Sequence, residues 1–246
     1  MSVSISDLER GLSKARLQPY RNVTANDTDA LCMYMRNMEL SYGLYPVLQS
    51  VEVALRNGIH DAGVQAFQAA DWFRDGALLP LKPREQRILE TARDNVWNAQ
   101  GHDVRAIRQG RIAAPPLPAV DDHIAALTFG FWTGMMNAPY TNLIWNTRPG
   151  KIDLAQVAFK YAGRNNRKSI PIFLIVNRLR LLRNRISHHE PILNRSPPLN
   201  VAHQEALQIL QWISPSMHSI VMMTDPFPKL WGQPNSHHAP NLTVGP

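Results

Sequence analysis

The stretch SIPIFLIVNRLRLLRNRISHHE, residues 169–190, carries the clearest structural pattern in this sequence. Its apolar residues recur at the three- and four-residue steps of an amphipathic helix: Ile172, Ile175, Val176, Leu179, Leu182 and Ile186. Ser169 is typical of a helix cap, Pro171 suits a first turn, and Pro191 indicates that the helix ends at Glu190. The pattern predicts a core helix with one apolar face.

The opposite face of this helix is polar and basic. At about 100° per residue, a ridge of polar side chains runs along it, with Arg183 and Ser187 beside the ridge: Asn177, Arg180, Asn184 and His188. The arginines of this segment, which include Arg185, repel one another unless an anion lies nearby. We therefore expect an anion-binding surface here.

Apolar side chains also lie near this polar ridge. They are Phe173, Leu174 and Leu181. Because apolar side chains gathered on an exposed face often mark an interaction site, we expect a second protein surface, such as another subunit, to cover this side.

Helical patterns follow one another along the rest of the chain. They predict helices from Ser6 to about Leu17, from Asn26 or Asp27 with a kink at Pro46, over 83–100, from Asp121, over Val201–Ile213 and over 215–222. The second of these has a predicted buried stripe of Leu31, Met35, Met38, Tyr42, Tyr45, Leu48, Leu55 and Ile59. The sequence has no repeat and no glycine-rich phosphate loop, so we predict an all-α fold.

The length of 246 residues favours one domain, which we place at 1–225. Residues 226–246 contain several prolines and no periodic pattern, and we expect them to form a mobile tail. This tail includes His237 and His238.

The overall charge indicates an anionic partner. The formal net charge is +7, and arginine, whose fork-shaped guanidinium matches phosphate oxygens, far outnumbers lysine. Clustered cations gain affinity by displacing counterions from phosphates, so RNA, DNA and nucleotides are candidate partners. The 44% hydrophobic and 18% charged composition excludes wholesale disorder.

The N-terminal sequence and the cysteine content both suit the cytoplasm. Asp7, Glu9 and Arg10 lie where a signal peptide has its apolar stretch, and no membrane span is predicted. Cys32 is the single cysteine, so no intramolecular disulfide can form. It lies among apolar residues, and we interpret it as a small buried side chain, not as a nucleophile.

The run LLRNRISHHEPIL, residues 181–193, resembles the signature of the HEPN superfamily in the form found in Abi-like abortive-infection proteins. Its core is Arg183-Asn184-x3-His188. Three other blocks are similar to segments of the same family, in the same order: LSKARLQPY at 12–20, LQSVEVALRNGIH at 48–60 and IAALTFGFWTGMM at 124–136. The resemblance spans the chain from about Ser6 to Trp212.

This resemblance implies a HEPN-like helical bundle with additional helices, which forms a homodimer with a composite active site. It implies an endoribonuclease that needs no metal and no cofactor, in which the ribose 2′-hydroxyl attacks the phosphate. His188 would act as general base or acid, Arg183 would stabilise the anionic phosphorane, and Asn184 would position its neighbours. The resemblance also implies a toxin-like effector in antiphage defence, with RNA as substrate and an antitoxin or another regulator as a candidate partner.

Several alternatives stay open. His189 competes with His188 for the catalytic role, although it points about 100° away from the ridge. Arg180 and Arg185 are candidate supporting residues. Glu52 and Arg56 are spaced for an intrahelical ion pair, but these residues or Asn57 could instead support the signature helix.

Two structural readings are weaker. A metal site at His188, His189 and Glu190, with His237 and His238 as possible additions, is disfavoured, because adjacent histidines on a helix point apart and the second pair lies in the tail that we expect to be mobile. The aromatic run at Phe129, Phe131 and Trp132 is expected to pack in the core and not to stack on bases. The alternative function is a non-catalytic HEPN module that binds RNA, a nucleotide or a partner protein.

Overall fold

A computed structural model describes residues 2–74, 76–140, 144–145, 154–166, 169–235 and 243–245. Within these residues nearly all of the regular secondary structure is helical, which confirms the all-α prediction. The helices are α1 Ile5–Leu12, α2 Lys14–Arg21, α3 Asp27–Phe67, α4 Pro83–Ala99, α5 Val104–Arg108, α6 Val120–Ala126, α7 Phe129–Gly134, α8 Ala138–Tyr140, α9 Leu154–Ala158, α10 Ser169–Ser187, α11 Leu199–Ile213, α12 Pro215–Thr224 and α13 Phe227–Trp231.

One short pair of strands accompanies the helices. β1, Ser2–Ser4, pairs in parallel with β2, Thr243–Gly245. Ser2 is aligned with Thr243 and Ser4 with Gly245. Three-residue strands leave no alternating pattern long enough to be recognised in the sequence.

The chain divides into two compact units. The first consists of Met1–Ser50, Leu181–Gln208 and Ser216–Pro246, and the second of Val51–Arg180 and Ile209–Pro215. In the described part of the chain, none of the helices combines the length and the hydropathy that a membrane crossing requires.

Two predicted helices are each divided into two. The first breaks at Ser13, which has a φ of 70° and whose hydroxyl accepts a hydrogen bond from the backbone N–H of Arg16 at 3.3 Å. The helix predicted from Asp121 breaks after Ala126, and the Thr128 hydroxyl caps α7 by accepting from the Phe131 N–H at 3.2 Å. In both cases a serine or threonine side chain competes with the helical backbone pattern.

The helix α3 continues through Pro46, where the sequence predicted a kink. Its N-terminus agrees with the prediction, because the Asn26 side chain accepts from the Asp29 N–H at 2.9 Å. Cys32 is 1% exposed, which confirms its interpretation as a core side chain.

The second unit buries the aromatic run of α7. Phe129, Phe131 and Trp132 are at most 1% exposed, and the rings of Phe131 and Trp132 meet edge to face with centroids 5.1 Å apart. This confirms that the run is core packing, so any base-stacking surface must be formed by other rings.

The predicted apolar stripe of α10 is buried except for Ile175, which is half-buried. Ile172, Val176 and Leu179 in the second unit, and Leu182 and Ile186 in the first, are at most 8% exposed. The helix ends at Ser187, three residues before the predicted end at Glu190. The reason for this early end lies in the backbone geometry of the signature segment.

Candidate functional site

The signature segment in the first unit ends α10 with a Schellman turn. The His189 N–H donates to the Ile186 carbonyl at 3.0 Å, and the Glu190 N–H donates to the Arg185 carbonyl at 2.8 Å. His189 has a φ of 55°, the left-handed conformation that this turn requires. Histidine is one of the non-glycine residues that adopt it more readily than most. The turn directs the chain away from the helix axis before Glu190, so the predicted helix end was too late.

The turn separates the two candidate histidines. His188 still closes a helical hydrogen bond, because its N–H donates to the Asn184 carbonyl at 2.9 Å. His189 lies outside the helix in the left-handed position, and both imidazoles belong to exposed residues. His188 therefore remains in helical register with Asn184, whereas His189 does not.

Arg16 of α2 holds the end of α10. Its Nη1 donates to the carbonyl oxygens of His188, at 3.2 Å, and His189, at 2.5 Å. The last carbonyls of a helix lack partners within the helix and carry its negative dipole end, so a guanidinium stabilises them. Arg16 lies in the block LSKARLQPY, but no sequence pattern distinguished it from the other arginines.

Replacing Arg16 with alanine is expected to lower the free energy of unfolding by about 1 kcal/mol, because two charge-assisted hydrogen bonds are lost from a half-exposed side chain. Urea denaturation measures this change. Lys14→Ala is the matched control on the same helix: its side chain is 81% exposed, and we expect a change below about 0.5 kcal/mol. Equal losses for the two variants would show that Arg16 does not stabilise the turn.

Asn37 of α3 holds the chain that follows the turn. This residue is only 4% exposed, and its side-chain Oδ1 accepts from the Ile192 N–H at 2.7 Å. Its Nδ2 donates to the Glu190 carbonyl at 3.4 Å. One buried amide thus satisfies a backbone donor and a backbone acceptor, which fixes the direction in which residues 190–192 leave the helix.

Arg183 and Asn184 lie near the C-terminal end of α10, and His188 directly follows that end. Arg183 Nη1 lies 3.5 Å from Asn184 Oδ1, and Arg183 and Asn184 are both half-buried. The Ser187 hydroxyl donates to the Arg183 carbonyl at 3.0 Å. The structure therefore presents the guanidinium of Arg183 and the amide of Asn184 near the end of the helix, and the exposed imidazole residue His188 directly after it.

A second group of charges lies just beyond the turn. Arg185 Nε is 3.2 Å from the Glu190 carboxylate. Burial lowers the pKa of the Arg195 guanidinium, the positive charge of Arg185 lowers it further, and Glu190 raises it. Two arginines facing one carboxylate leave an excess of positive charge, which favours an anion. Arg185 was a candidate from the sequence, whereas Arg195 was not.

A groove opens beside the turn within the first unit. It is lined by Tyr34, Asn37, Met38, Ser41, Tyr42 and Tyr45 of α3 and by Ile186, Ser187 and His189, and its volume is about 580 Å³. Met38, Tyr42 and Tyr45 are 54%, 67% and 46% exposed. We call this feature the tyrosine groove.

The tyrosine groove corrects the predicted core stripe of α3. Leu31, Leu48, Leu55 and Ile59 are buried as predicted, but Met35 is half-buried, and Met38, Tyr42 and Tyr45 are exposed. The buried positions in this part of the helix are instead Leu40, Leu44 and Val47. The helix has apolar residues on two faces, and periodicity alone identifies neither as the buried one.

The remaining candidate residues lie in the second unit. The Arg180 guanidinium donates to Asn177 Oδ1 at 2.9 and 3.2 Å, and its pKa is lowered by burial and by the charge of Arg84. Arg56 Nε lies 3.4 Å from Asn57 Oδ1, and Arg56 Nη1 lies 3.5 Å from the carbonyl of Ala125. Glu52 is half-buried. The supporting roles of these residues stay predictions.

Within the described residues, no three side chains of histidine, cysteine, aspartate or glutamate are grouped so that they could hold a metal ion. His237 and His238 lie outside the described residues.

The end of α10 and the residue that follows it combine three kinds of chemistry. A guanidinium keeps its charge and can bind phosphate oxygens, an amide both donates and accepts, and an imidazole exchanges protons near neutral pH. Together they can support acid–base chemistry on a phosphodiester. No family model, no curated protein and no solved structure matches this chain.

Proposed function

We propose that this chain is a metal-independent endoribonuclease of the HEPN type. The observation that carries the proposal is the grouping of Arg183, Asn184 and the exposed His188 at the end of α10, with Arg16 holding the helix end. The basic character of the surrounding segment, including Arg185 and Arg195, suits a phosphodiester substrate.

In the proposed reaction the ribose 2′-oxygen attacks the adjacent phosphorus. A neutral imidazole takes the hydroxyl proton, and the bond from phosphorus to the 5′-oxygen breaks as the new bond forms. A protonated imidazole gives a proton to the leaving 5′-oxygen. The products are a 2′,3′-cyclic phosphate and a 5′-hydroxyl, and no water is consumed in this step.

Arg183 has the charge needed at the reacting phosphate. Negative charge builds up on the non-bridging oxygens as phosphorus becomes five-coordinate, and a positioned guanidinium stabilises it. Asn184, whose Oδ1 lies 3.5 Å from Arg183 Nη1, orients the guanidinium. It acts as a positioning residue for Arg183.

The reaction uses one group as base and another as acid, and we propose that a second copy of the chain supplies a second His188 for this purpose. Leu181, which lies on α10 in the same unit as His188, is 43% exposed, which suits contact with another protein surface. RNA cleavage of this kind would make the chain a toxin-like effector in antiphage defence, controlled by an antitoxin or another regulator.

The direct test is incubation of the purified chain with single-stranded RNA in excess EDTA. We expect fragments that end in a 2′,3′-cyclic phosphate, identified by mass spectrometry. A 2′-O-methyl oligomer of the same sequence is expected to stay intact, because its 2′-oxygen has no proton to lose.

Arg183→Gln, purified identically, is the control for contaminating nucleases and is expected to cleave about a hundredfold to a thousandfold more slowly. Cleavage by this variant at the wild-type rate would contradict the proposal. So would binding of RNA by the wild type without any cleavage, which would instead favour a non-catalytic module.

A further inference from the structure

The tyrosine groove has an unusual surface for a part of the protein that faces solvent. Tyr42, Met38 and Tyr45 are large side chains that are 67%, 54% and 46% exposed, and they lie within eight residues on α3. Tyr34, which also lines the groove, is held by an edge-to-face contact with the buried ring of Tyr20, with centroids 5.6 Å apart. Adjacent exposed rings of this kind mark a binding surface.

We propose that the tyrosine groove binds a nucleobase of single-stranded RNA beside the reacting phosphate; this inference rests on the proposed ribonuclease function. The occupant would stack on the exposed phenol rings of Tyr42 and Tyr45. The site deepens the proposed function, because it specifies an unpaired nucleotide as the substrate.

The position of the groove relative to the signature segment supports this occupant. Ser187 and His189 both line the groove, and His188 lies between them in the chain. Ser187 also lies four residues after Arg183 on α10, and side chains at this spacing are neighbours on a helix surface, so the groove wall lies beside the residue proposed to bind the phosphate. A ligand with a flat ring and an attached phosphate can therefore contact the groove and the signature residues together.

The chemistry of the groove also favours a base. Phenol rings and a methionine thioether offer polarisable surfaces to a flat aromatic ligand, and bases of any sequence have such faces. The volume of about 580 Å³ falls within the range of roughly 300–1,000 Å³ that is usual for small-molecule sites. Ser41, Ser187 and His189 add polar atoms to the wall.

The arrangement disfavours double-stranded RNA. In a duplex the faces of each base are covered by its neighbours, so a stacking site can engage only bases that are unpaired or at an end. The expected substrate is a loop, a bulge or a single strand.

The test measures binding separately from cleavage. The probe is a fluorescein-labelled, single-stranded 2′-O-methyl oligomer, which the wild type cannot cleave, and the readout is fluorescence anisotropy. Tyr42→Ala and Tyr45→Ala are each expected to weaken binding about tenfold, because a stacked base contributes about that factor. Tyr42→Phe and Tyr45→Phe keep the ring and are expected to bind like the wild type.

Tyr161→Ala is the matched control. Tyr161 is also exposed, at 52%, but it belongs to the second unit and does not line the groove. We expect it to bind the oligomer like the wild type. An oligomer with abasic positions is expected to bind the wild type as weakly as it binds Tyr42→Ala.

The outcomes separate this inference from the function on which it rests. Wild-type affinity in both alanine variants, together with normal RNA cleavage, would overturn the base site and leave the ribonuclease proposal standing. Loss of affinity in these variants without any cleavage by the wild type would support the base site and overturn the ribonuclease proposal. If Tyr42→Ala converts a dimer into a monomer in sedimentation experiments, a second copy occupies the groove and the inference is wrong.

Discussion

His188→Ala is expected to reduce the rate of RNA cleavage by about a thousandfold or more. In the proposed dimer the substitution removes the base and the acid together, and each such group contributes roughly a hundredfold to ten-thousandfold. His188 is exposed, and its structural contacts are made by its backbone, which accepts from Arg16 and donates to Asn184. The variant is therefore expected to unfold at the same urea concentration as the wild type.

His189→Gly is the matched variant at the neighbouring histidine. Glycine adopts the left-handed backbone of this position, with its φ of 55°, without strain, so the Schellman turn is retained. We expect cleavage to fall much less than in His188→Ala, since only a side chain in the groove wall is lost.

The comparison of these two variants decides which histidine is catalytic. Single-turnover cleavage of a labelled RNA measures both rates, and circular dichroism verifies the fold. If the cleavage rate falls a thousandfold in His189→Gly and is retained in His188→Ala, the catalytic imidazole is that of His189. If both variants cleave normally, neither histidine takes part in the chemistry.

Arg36→Ala is expected to lower the free energy of unfolding by about 3 kcal/mol or more. Arg36 of α3 is 1% exposed, and its Nη2 lies 2.6 Å from the carbonyl of Leu230, 2.9 Å from that of Gln233 and 3.4 Å from that of Trp231. Its Nη1 lies 3.4 Å from the Glu39 carboxylate. Without the guanidinium, these three carbonyls and the Glu39 carboxylate lose their charged partner. Removing one partner of a buried ionic contact is among the most destabilising single substitutions.

Hydrogen exchange measures the local consequence of this substitution. We expect the backbone amides of Phe227–Trp231 to exchange faster in Arg36→Ala, because Arg36 ties the end of this helix to α3. A lysine at this position would supply one compact charge in place of the planar fork, and Arg36→Lys is expected to restore only part of the stability.

The control for Arg36→Ala is Arg87→Ala, which removes an exposed arginine from a helix and is expected to change stability by less than about 0.5 kcal/mol. Unchanged exchange in 227–231 would show that other contacts hold this helix. The candidates are the hydrogen bond of 2.6 Å between His203 and Asp225 and the stacking of His203 on Phe227.

Much of the local structure could be predicted from the sequence. The helix α4 begins at Pro83 and ends at Ala99, close to its predicted limits, and α11 ends at the predicted Ile213. The buried face of α10 was also predicted. These features depend on the spacing of apolar residues, on proline positions and on helix caps within one segment. Such local preferences are retained in the folded protein.

The candidate site was predicted only in part. Arg183, Asn184 and His188 were named from the resemblance to the HEPN signature, and their catalytic roles stay predictions. Arg183 and Asn184 lie on α10, which is continuous up to Ser187, and His188 follows directly. Arg16 and Asn37 were not identified, although they hold the turn in place. Their partners are backbone groups more than a hundred residues away, and no local pattern encodes such a contact.

The sequence by itself determined the helical class of this protein and the face of α10 that is buried, because repeated apolar spacing favours one backbone conformation and one direction of burial. Only the tertiary structure decided that Tyr42 and Tyr45 face outward and that Phe227–Trp231 is a helix held by Arg36. A long helix with two apolar faces buries the face against which other segments of the chain pack. That choice depends on segments distant in the chain, whose packing energy exceeds any local preference.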